Sequence, residues 1–253
     1  MRHPDPSFAT TLAHGLALLQ CFRVDAPTLS NKELSDATGL SKSTITRLTY
    51  TLMSRGLLAY DAHTRRYQLG PTALSLGYPL LAHLRVRQIA RPLMQQLADF
   101  AEGSVSLGMR DRLNVVYIET SRGHESIEFR PDIGASLPIL ASAMGRAWLA
   151  AAPPGQRDDV IEAFAQGNRS LRTRARKVIA TAVADLETKG FCVSHGDWQP
   201  DIHALAIPLR KPVDDEVVVL NCGVLTRRLK GEAIERRLGE RLIETARRIE
   251  MAL

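Results

Sequence analysis

The stretch SNKELSDATGLSKSTITRL, residues 30–48, constrains the fold more than any other part of the chain. Ser30 stands three residues before Glu33, the spacing of a capping box, in which each side chain satisfies the other residue's free amide. Gly39 supplies the left-handed residue that stops a helix. Ser41 then starts a second helix that runs toward Gly56. Two short helices joined by the tight ATGLS turn are therefore expected over about 31–50. The second is odd, because Ser and Thr compete for backbone groups and make indifferent helices. On a helical wheel Ile45, Leu48 and Leu52 share one face, while Ser43, Thr46, Arg47 and Tyr50 share the opposite one. That outer face carries hydroxyls, an aromatic ring and a cation, and no carboxylate.

A phosphate-lined groove favours such a surface, since acids there would repel the nucleic acid backbone. Ser and Thr bond phosphates or base edges, and Arg pairs bidentately with guanine. Lys42 adds charge beside N-terminal amides already suited to phosphate. Helix, tight turn and helix make a helix-turn-helix. The following LLAYDAHTRRYQLG reads as two strands around a polar turn, with Arg65 and Arg66 at the tip of a wing. The candidate DNA contacts are Lys42, Ser43, Thr44, Thr46, Arg47, Tyr50, Arg65 and Arg66. The competing reading is a small helical bundle whose polar face is merely solvated. Net charge, +6, permits nucleic acid binding but does not locate it. Residues 1–79 hold eight Lys/Arg and five Asp/Glu, so the excess is shared equally with the rest of the chain.

Beyond the hairpin, PTALSLG opens a linker helix, and YPLLAHLRVRQIARPLMQQLADFAEG a longer one that Pro92 is expected to interrupt or restart. A boundary near residues 71–80 separates domains 1–79 and 80–253. In the second, SVSLGM and NVVYIET read as strands, as does SIEFRP; ASAMGRAWLAAAP reads as a small-residue helix and RSLRTRARKVIATAVADLETKG as an amphipathic one. Three further strands follow in FCVSHGDWQPDIHALAIPLR and VVVLNCGVL, and a helix closes the chain. Helices and strands mix without strict alternation, which predicts an α+β fold with a mainly antiparallel sheet. No apolar run spans a bilayer, MRHPDPSFAT lacks a signal-peptide core, and three dispersed cysteines indicate no disulfide framework; a cytoplasmic protein is expected.

The chain resembles the IclR-type transcriptional regulators. The resemblance rests on LSNKELSDATGLSKSTITRLTYTLMSRGLL and RRYQLGPTALSLG, and continues in NVVYIE, LPILASAMGRAWLA, LETKGF and GDWQPDIHALAIPL. It implies an N-terminal winged helix-turn-helix, a PAS/GAF-like effector-binding domain, homodimers or tetramers, double-stranded operator DNA as partner, and ligand-controlled transcription, often of catabolic operons. It implies no enzyme activity, cofactor or membrane association. Carried over by position, the effector pocket comprises Leu140, Ala143, Met144, Ser194, Ile202, Ala204, Leu220 and Cys222. Leu140 stands where the family usually has His, Leu220 where it often has a small polar residue, and Arg146 where Lys is frequent. An apolar wall suits an effector with an apolar body and one polar end, such as an aromatic acid, better than a very small polar acid.

Other clusters in the chain compete with this reading. Cys192, His195, Asp197, Asp201 and His203 contain zinc-ligand types, but their spacing fits no metal motif, and no metal is expected. Cys222 beside His203 has no oxyanion-hole or activating turn, so no catalytic residue is expected. RSLRTRARK suits a second nucleic acid contact or, better, a solvated helix face. Trp198 suits a pocket lid or a loop anchor equally. The alternative function is a small-molecule-binding or metal-dependent enzyme whose N-terminal helices serve assembly.

Overall fold

The computed structural model describes residues 7–123, 132–226 and 232–253. The expected strand SIEFRP lies outside them. The chain divides into two compact units, Met1–His83 and Leu84–Leu253.

In the first unit, α1 (Thr10–Leu19), α2 (Asn31–Thr38) and α3 (Lys42–Ser54) pack with a small antiparallel sheet of β1 (Thr28–Leu29), β2 (Leu58–Asp61) and β3 (Arg66–Leu69), in the order β1-β3-β2. The local signals act as their chemistry dictates. The Ser30 amide donates to Glu33 Oε2 at 2.7 Å, and the Glu33 amide donates back to Ser30 Oγ. Gly39 sits at φ 71°, a left-handed conformation that would strain a side chain, and its amide closes α2 onto Ser35 O. Ser41 Oγ then receives the Thr44 amide. Leu18, Leu34, Ile45, Leu48 and Leu58 meet in the core of the unit. The linker helix α4 (Pro71–His83) follows and buries none of its residues.

The second unit starts with α5 (Arg85–Ala101). Pro92 does not interrupt it; the break falls at Leu84, whose side chain is buried. Pro92 forfeits one amide bond, but Val86, Ala90, Met94 and Leu97 are buried along one stripe, and that burial outweighs the missing bond. The strands are β4 (Ser104–Asp111), β5 (Asn114–Arg122), β6 (Ser136–Pro138), β7 (Cys192–His195), β8 (Ile202–Pro208) and β9 (Val218–Leu225). They form one antiparallel sheet in the order β6-β5-β4-β9-β8-β7. Its first and last long strands, β4 and β9, therefore lie side by side in the centre, as in PAS/GAF-like domains. The helices are α6 (Ala143–Ala151), α7 (Pro154–Ala165), α8 (Arg169–Lys189) and α9 (Glu232–Ala252).

Residue alternation assigns the helices to faces. On β4, a Cβ built on Gly108 would lie 2.3 Å from Met144 Sδ, so α6 approaches this face because glycine leaves room. Cys192 on β7 bonds α8 through Ala182 O on the same face. Residues of opposite parity reach the other helices: Glu119 on β5 pairs with Arg87 and Arg91 of α5, and His195 on β7 with Glu235 of α9. The sheet is thus a two-sided platform, with α6 and α8 on one face and α5 and α9 on the other. No described helix is long and apolar enough to cross a membrane.

Candidate functional site

The first candidate site is the outer face of α3. Ile45 and Leu48 anchor the inner face, leaving Lys42, Ser43, Thr46, Arg47 and Tyr50 exposed and Thr44 half-buried. The hydroxyls are satisfied locally. Thr46 Oγ1 donates to Lys42 O at 2.9 Å and accepts from Asn31 Nδ2 at 3.1 Å, while Thr51 Oγ1 donates to Arg47 O at 3.1 Å. Ser41 Oγ lies 3.0 Å from Ser43 Oγ and 2.9 Å from Thr44 Oγ1. These bonds, and the cap, offset the weak helix propensity of the stretch. Arg47 and Tyr50 have no side-chain hydrogen bond among the described residues.

The wing needs a correction. Asp61 Oδ1 receives the His63 amide at 2.8 Å and shapes the turn, in which Arg65 is exposed at φ 56°. Arg66 is not at the tip but opens β3. Its Nε donates to Thr28 Oγ1 at 3.0 Å, and its Nη2 to Thr28 O at 3.0 Å and Glu33 Oε1 at 2.9 Å. The guanidinium therefore ties the wing to the capping box and is already committed within the unit. Ser30 first, and Arg66 in addition, hold the Glu33 carboxyl at about 2, well below the usual range.

The second candidate site is the α6 face of the sheet. Ala143 and Met144 are buried there, with Leu140 and Ala204 packed against the same cluster. Ser194 Oγ reaches across to Ala141 O at 3.0 Å. Ile202 flanks Gly223, its Cγ2 3.7 Å from where a Cβ on that residue would sit. Leu220 and Cys222 do not join them. Leu220 pairs with Leu107 and Cys222 with Val105, positions out of phase with Gly108 and its partner Val219. Both side chains consequently point to the α5/α9 face.

Among the residues of β9 that do face α6 are Asn221 and Gly223, one step along from those expected. Asn221 is 5% exposed and has no side-chain hydrogen bond among the described residues. Beside it on β4 is Ser106, whose Oγ lies 3.1 Å from Thr120 Oγ1. Tyr117 completes this polar floor: burial raises its hydroxyl pKa, with Ser106 hydrogen bonding to it in opposition, so the phenol stays protonated. A lone polar residue inside an apolar strand was the one signal in the sequence that marked Asn221.

The cysteine–histidine cluster does not converge. Cys192 and His195 lie on opposite faces, Asp197 Oδ2 lies 3.0 Å from Arg146 Nη1, and no described group of three or more such residues is arranged to hold a metal. His195 Nε2 is 2.7 Å from Glu235 Oε2, and its ring centroid is 4.9 Å from that of His203. Burial pushes the Cys222 thiol up to about 12, so it is no ready nucleophile. On α8, Arg172 pairs with Glu162, while Arg169, Arg174, Arg176 and Lys177 are exposed. Trp198 packs against the α6 core cluster, as an anchor would.

Two family models match the chain. The IclR helix-turn-helix domain covers residues 11–62, and the bacterial transcriptional regulator IclR C-terminal domain covers residues 79–251. The transcriptional regulator TsaQ1/TsaQ2 of Comamonas testosteroni is 34% identical over 199 residues, 78% of this chain and 71% of that one. An IclR family transcriptional regulator from Brucella abortus superposes with a TM-score of 0.85 at 39% identity, over 100% of this chain and 95% of that one. An IclR homolog from Microbacterium hydrocarbonoxydans, solved with 4-hydroxybenzoate, shares the fold with a TM-score of 0.72 at 22% identity, over 95% and 98% of the two chains. The matched families are regulators and not enzymes, which removes the enzyme alternative. With a helix-turn-helix whose outer α3 face is free of acids and an α+β domain following it in sequence, the chain belongs to the IclR family of DNA-binding transcriptional regulators.

Proposed function

We propose that the chain controls a catabolic operon in response to a small organic acid, with residues 1–79 binding operator DNA and residues 80–253 binding the effector. The observation that carries the effector reading is Asn221. Its side-chain amide makes no hydrogen bond among the described residues and is not sealed from solvent, so a ligand oxygen on the α6 face can pair with it. Ser106, Thr120 and Tyr117 add hydroxyls beside it, while Met144, Ile202 and Ala204 offer an apolar wall. An acid with a ring and one polar end matches this division, and the 4-hydroxybenzoate bound by the Microbacterium hydrocarbonoxydans homolog has that character.

DNA binding is read as the work of Lys42, Ser43, Thr44, Thr46, Arg47 and Tyr50 with Arg65 of the wing. A single winged helix covers one half-site, so two or four copies are expected on a pseudo-palindrome. Exposed Phe8 just before α1, Leu12 and Leu16 on α1, and Leu74, Leu76 and Leu80 on α4 support self-association of the first unit.

Calorimetry with 4-hydroxybenzoate, benzoate and glyoxylate tests the effector reading, with light scattering on the same samples for assembly. The expected result is binding of an aromatic acid by an oligomer, lost in Asn221→Leu, and no binding of glyoxylate. Glyoxylate binding without any aromatic acid binding, or a monomer on DNA, would overturn it.

A further inference from the structure

We infer that α1 forms a second DNA contact, in which Thr11 and His14 clamp the sugar-phosphate backbone of the duplex whose bases α3 reads. This rests on α3 being the reading helix. A groove of about 470 Å³ runs between the two helices, lined by Thr11 and His14 from α1 and by Thr44, Arg47, Tyr50 and Thr51 from α3. Its base is Leu48, which α1 approaches at Gly15.

The groove is chemically one-sided. Its lining contains hydroxyls, an imidazole, a guanidinium and a phenol, and no carboxylate. Two of the threonines have spent their protons on backbone carbonyls, Thr46 on Lys42 O and Thr51 on Arg47 O. Thr11, His14, Arg47 and Tyr50 have not: none has a side-chain hydrogen bond among the described residues. Uncommitted donors from both helices therefore face one space that holds no carboxylate among the described residues. Phosphate oxygens are acceptors only, and contacts to them position a protein on the duplex without reading its sequence.

The periodicity of α1 agrees with this division of labour. Gly15 and Leu18 are buried, Leu12 and Leu16 form an exposed apolar flank, and Thr11 and His14 border α3. A partner copy on the apolar flank would leave the donor side open. The groove is also continuous with the α3 face, since Thr44, Arg47 and Tyr50 belong to both. The same duplex thus reaches it without a second binding event.

The test is fluorescence anisotropy with two labelled duplexes, one from the region upstream of the chain's own gene and one of unrelated sequence. His14→Glu puts a carboxylate against phosphate and is expected to weaken binding to both duplexes by at least about tenfold, leaving their ratio unchanged. His14→Gln keeps a donor and is expected to stay within about threefold of the parent. Thr11→Glu, from the other end of the contact, should repeat the His14→Glu result; urea melts verify that each variant is folded, and Thr11→Glu decides if His14→Glu is not. Parent-like affinity of the folded Glu variants, or a loss confined to the upstream duplex, overturns the backbone contact alone. Failure of the parent chain to bind either duplex overturns the reading of α3 as well.

Discussion

Glu119 is the most exposed weakness of the second unit, although it is one of its best-hidden residues. Its side chain is 2% exposed and accepts from Arg87 Nη2 at 3.1 Å and from Arg91 Nη2 at 3.0 Å. Its Oε1 also receives the Thr120 amide at 3.2 Å. The register of β5 shifts against β4 between Leu107 and Gly108, and this irregularity is what lets Glu119 face α5 while Tyr117 and Thr120 face α6. Consider Glu119→Gln, which preserves shape and removes the charge. Loss of one partner from a buried pair costs about 3–5 kcal/mol, because the other charge is left without compensation. Arg87, 15% exposed, has a further interaction besides Glu119 and so carries part of that penalty; Arg91, 63% exposed, is solvated and contributes about 0–1 kcal/mol. The Gln oxygen still accepts one bond, at about half the strength of a charge-assisted one. The expected loss is therefore about 2–4 kcal/mol for Glu119→Gln and at most about 1 kcal/mol for Arg91→Ala. Both tryptophans, Trp148 and Trp198, lie in this unit, so fluorescence-detected urea unfolding reports on it selectively. A loss below about 1 kcal/mol for Glu119→Gln, or an equal loss for Arg91→Ala, would refute the assignment of the cost to buried Arg87.

The two wing arginines should separate cleanly. Arg65→Ala is expected to reduce the slope of log affinity against log salt by about 0.9 with stability unchanged, whereas Arg66→Ala should lower the melting midpoint of the first unit by about 4 °C, measured by titration and circular dichroism. Arg47→Ala should cost about 1–3 kcal/mol of operator affinity and less on unrelated DNA, in the same titrations. Acid should loosen the winged helix through Glu33: its pKa is depressed on folding, so its contribution is present above the usual carboxylate range and fades as pH falls from about 4.5 toward 2. Melting between pH 6 and pH 3 should show that loss in the parent chain and a flatter profile in Glu33→Gln.

The winged helix was legible because its signals are local. A capping box, a left-handed glycine and a second serine cap each act within four residues, so no distant contact is needed to interpret them. Elements without a local pattern of their own were not legible. β1 is two residues long and exists through its pairing with β3. α7 was missed because its buried residues, Val160, Ile161 and Ala165, make a short stripe in a mostly polar segment. Pro92 misled in the other direction: a local rule for breaking helices lost to a buried stripe that the surrounding sheet made available. Arg66 was misplaced for a similar reason, since nothing near it in sequence announces Thr28 or Glu33 as its partners.

The effector pocket failed on register, and the failure changes the chemistry. From Val217 to Leu225 both faces of the strand are apolar enough to be buried, so hydrophobicity alone cannot say which alternate set faces α6. A slip of one position then exchanges every side chain between the faces. Leu140 and Leu220 together suggest a greasy wall hostile to a small acid's oxygens. In place of Leu220 and Cys222, their neighbours Asn221 and Gly223 offer an amide and open space on that face. The case for an aromatic acid thus no longer rests on the absence of polar groups. It rests on their segregation, with Asn221, Ser106, Thr120 and Tyr117 along the sheet and Met144, Ile202 and Ala204 around them. An effector that satisfies the amide while leaving its carbon skeleton against sulfur and methyl groups gains from both, whereas one made almost wholly of oxygen gains from the first alone and strands its remaining oxygens, at about 1–3 kcal/mol each, beside the second.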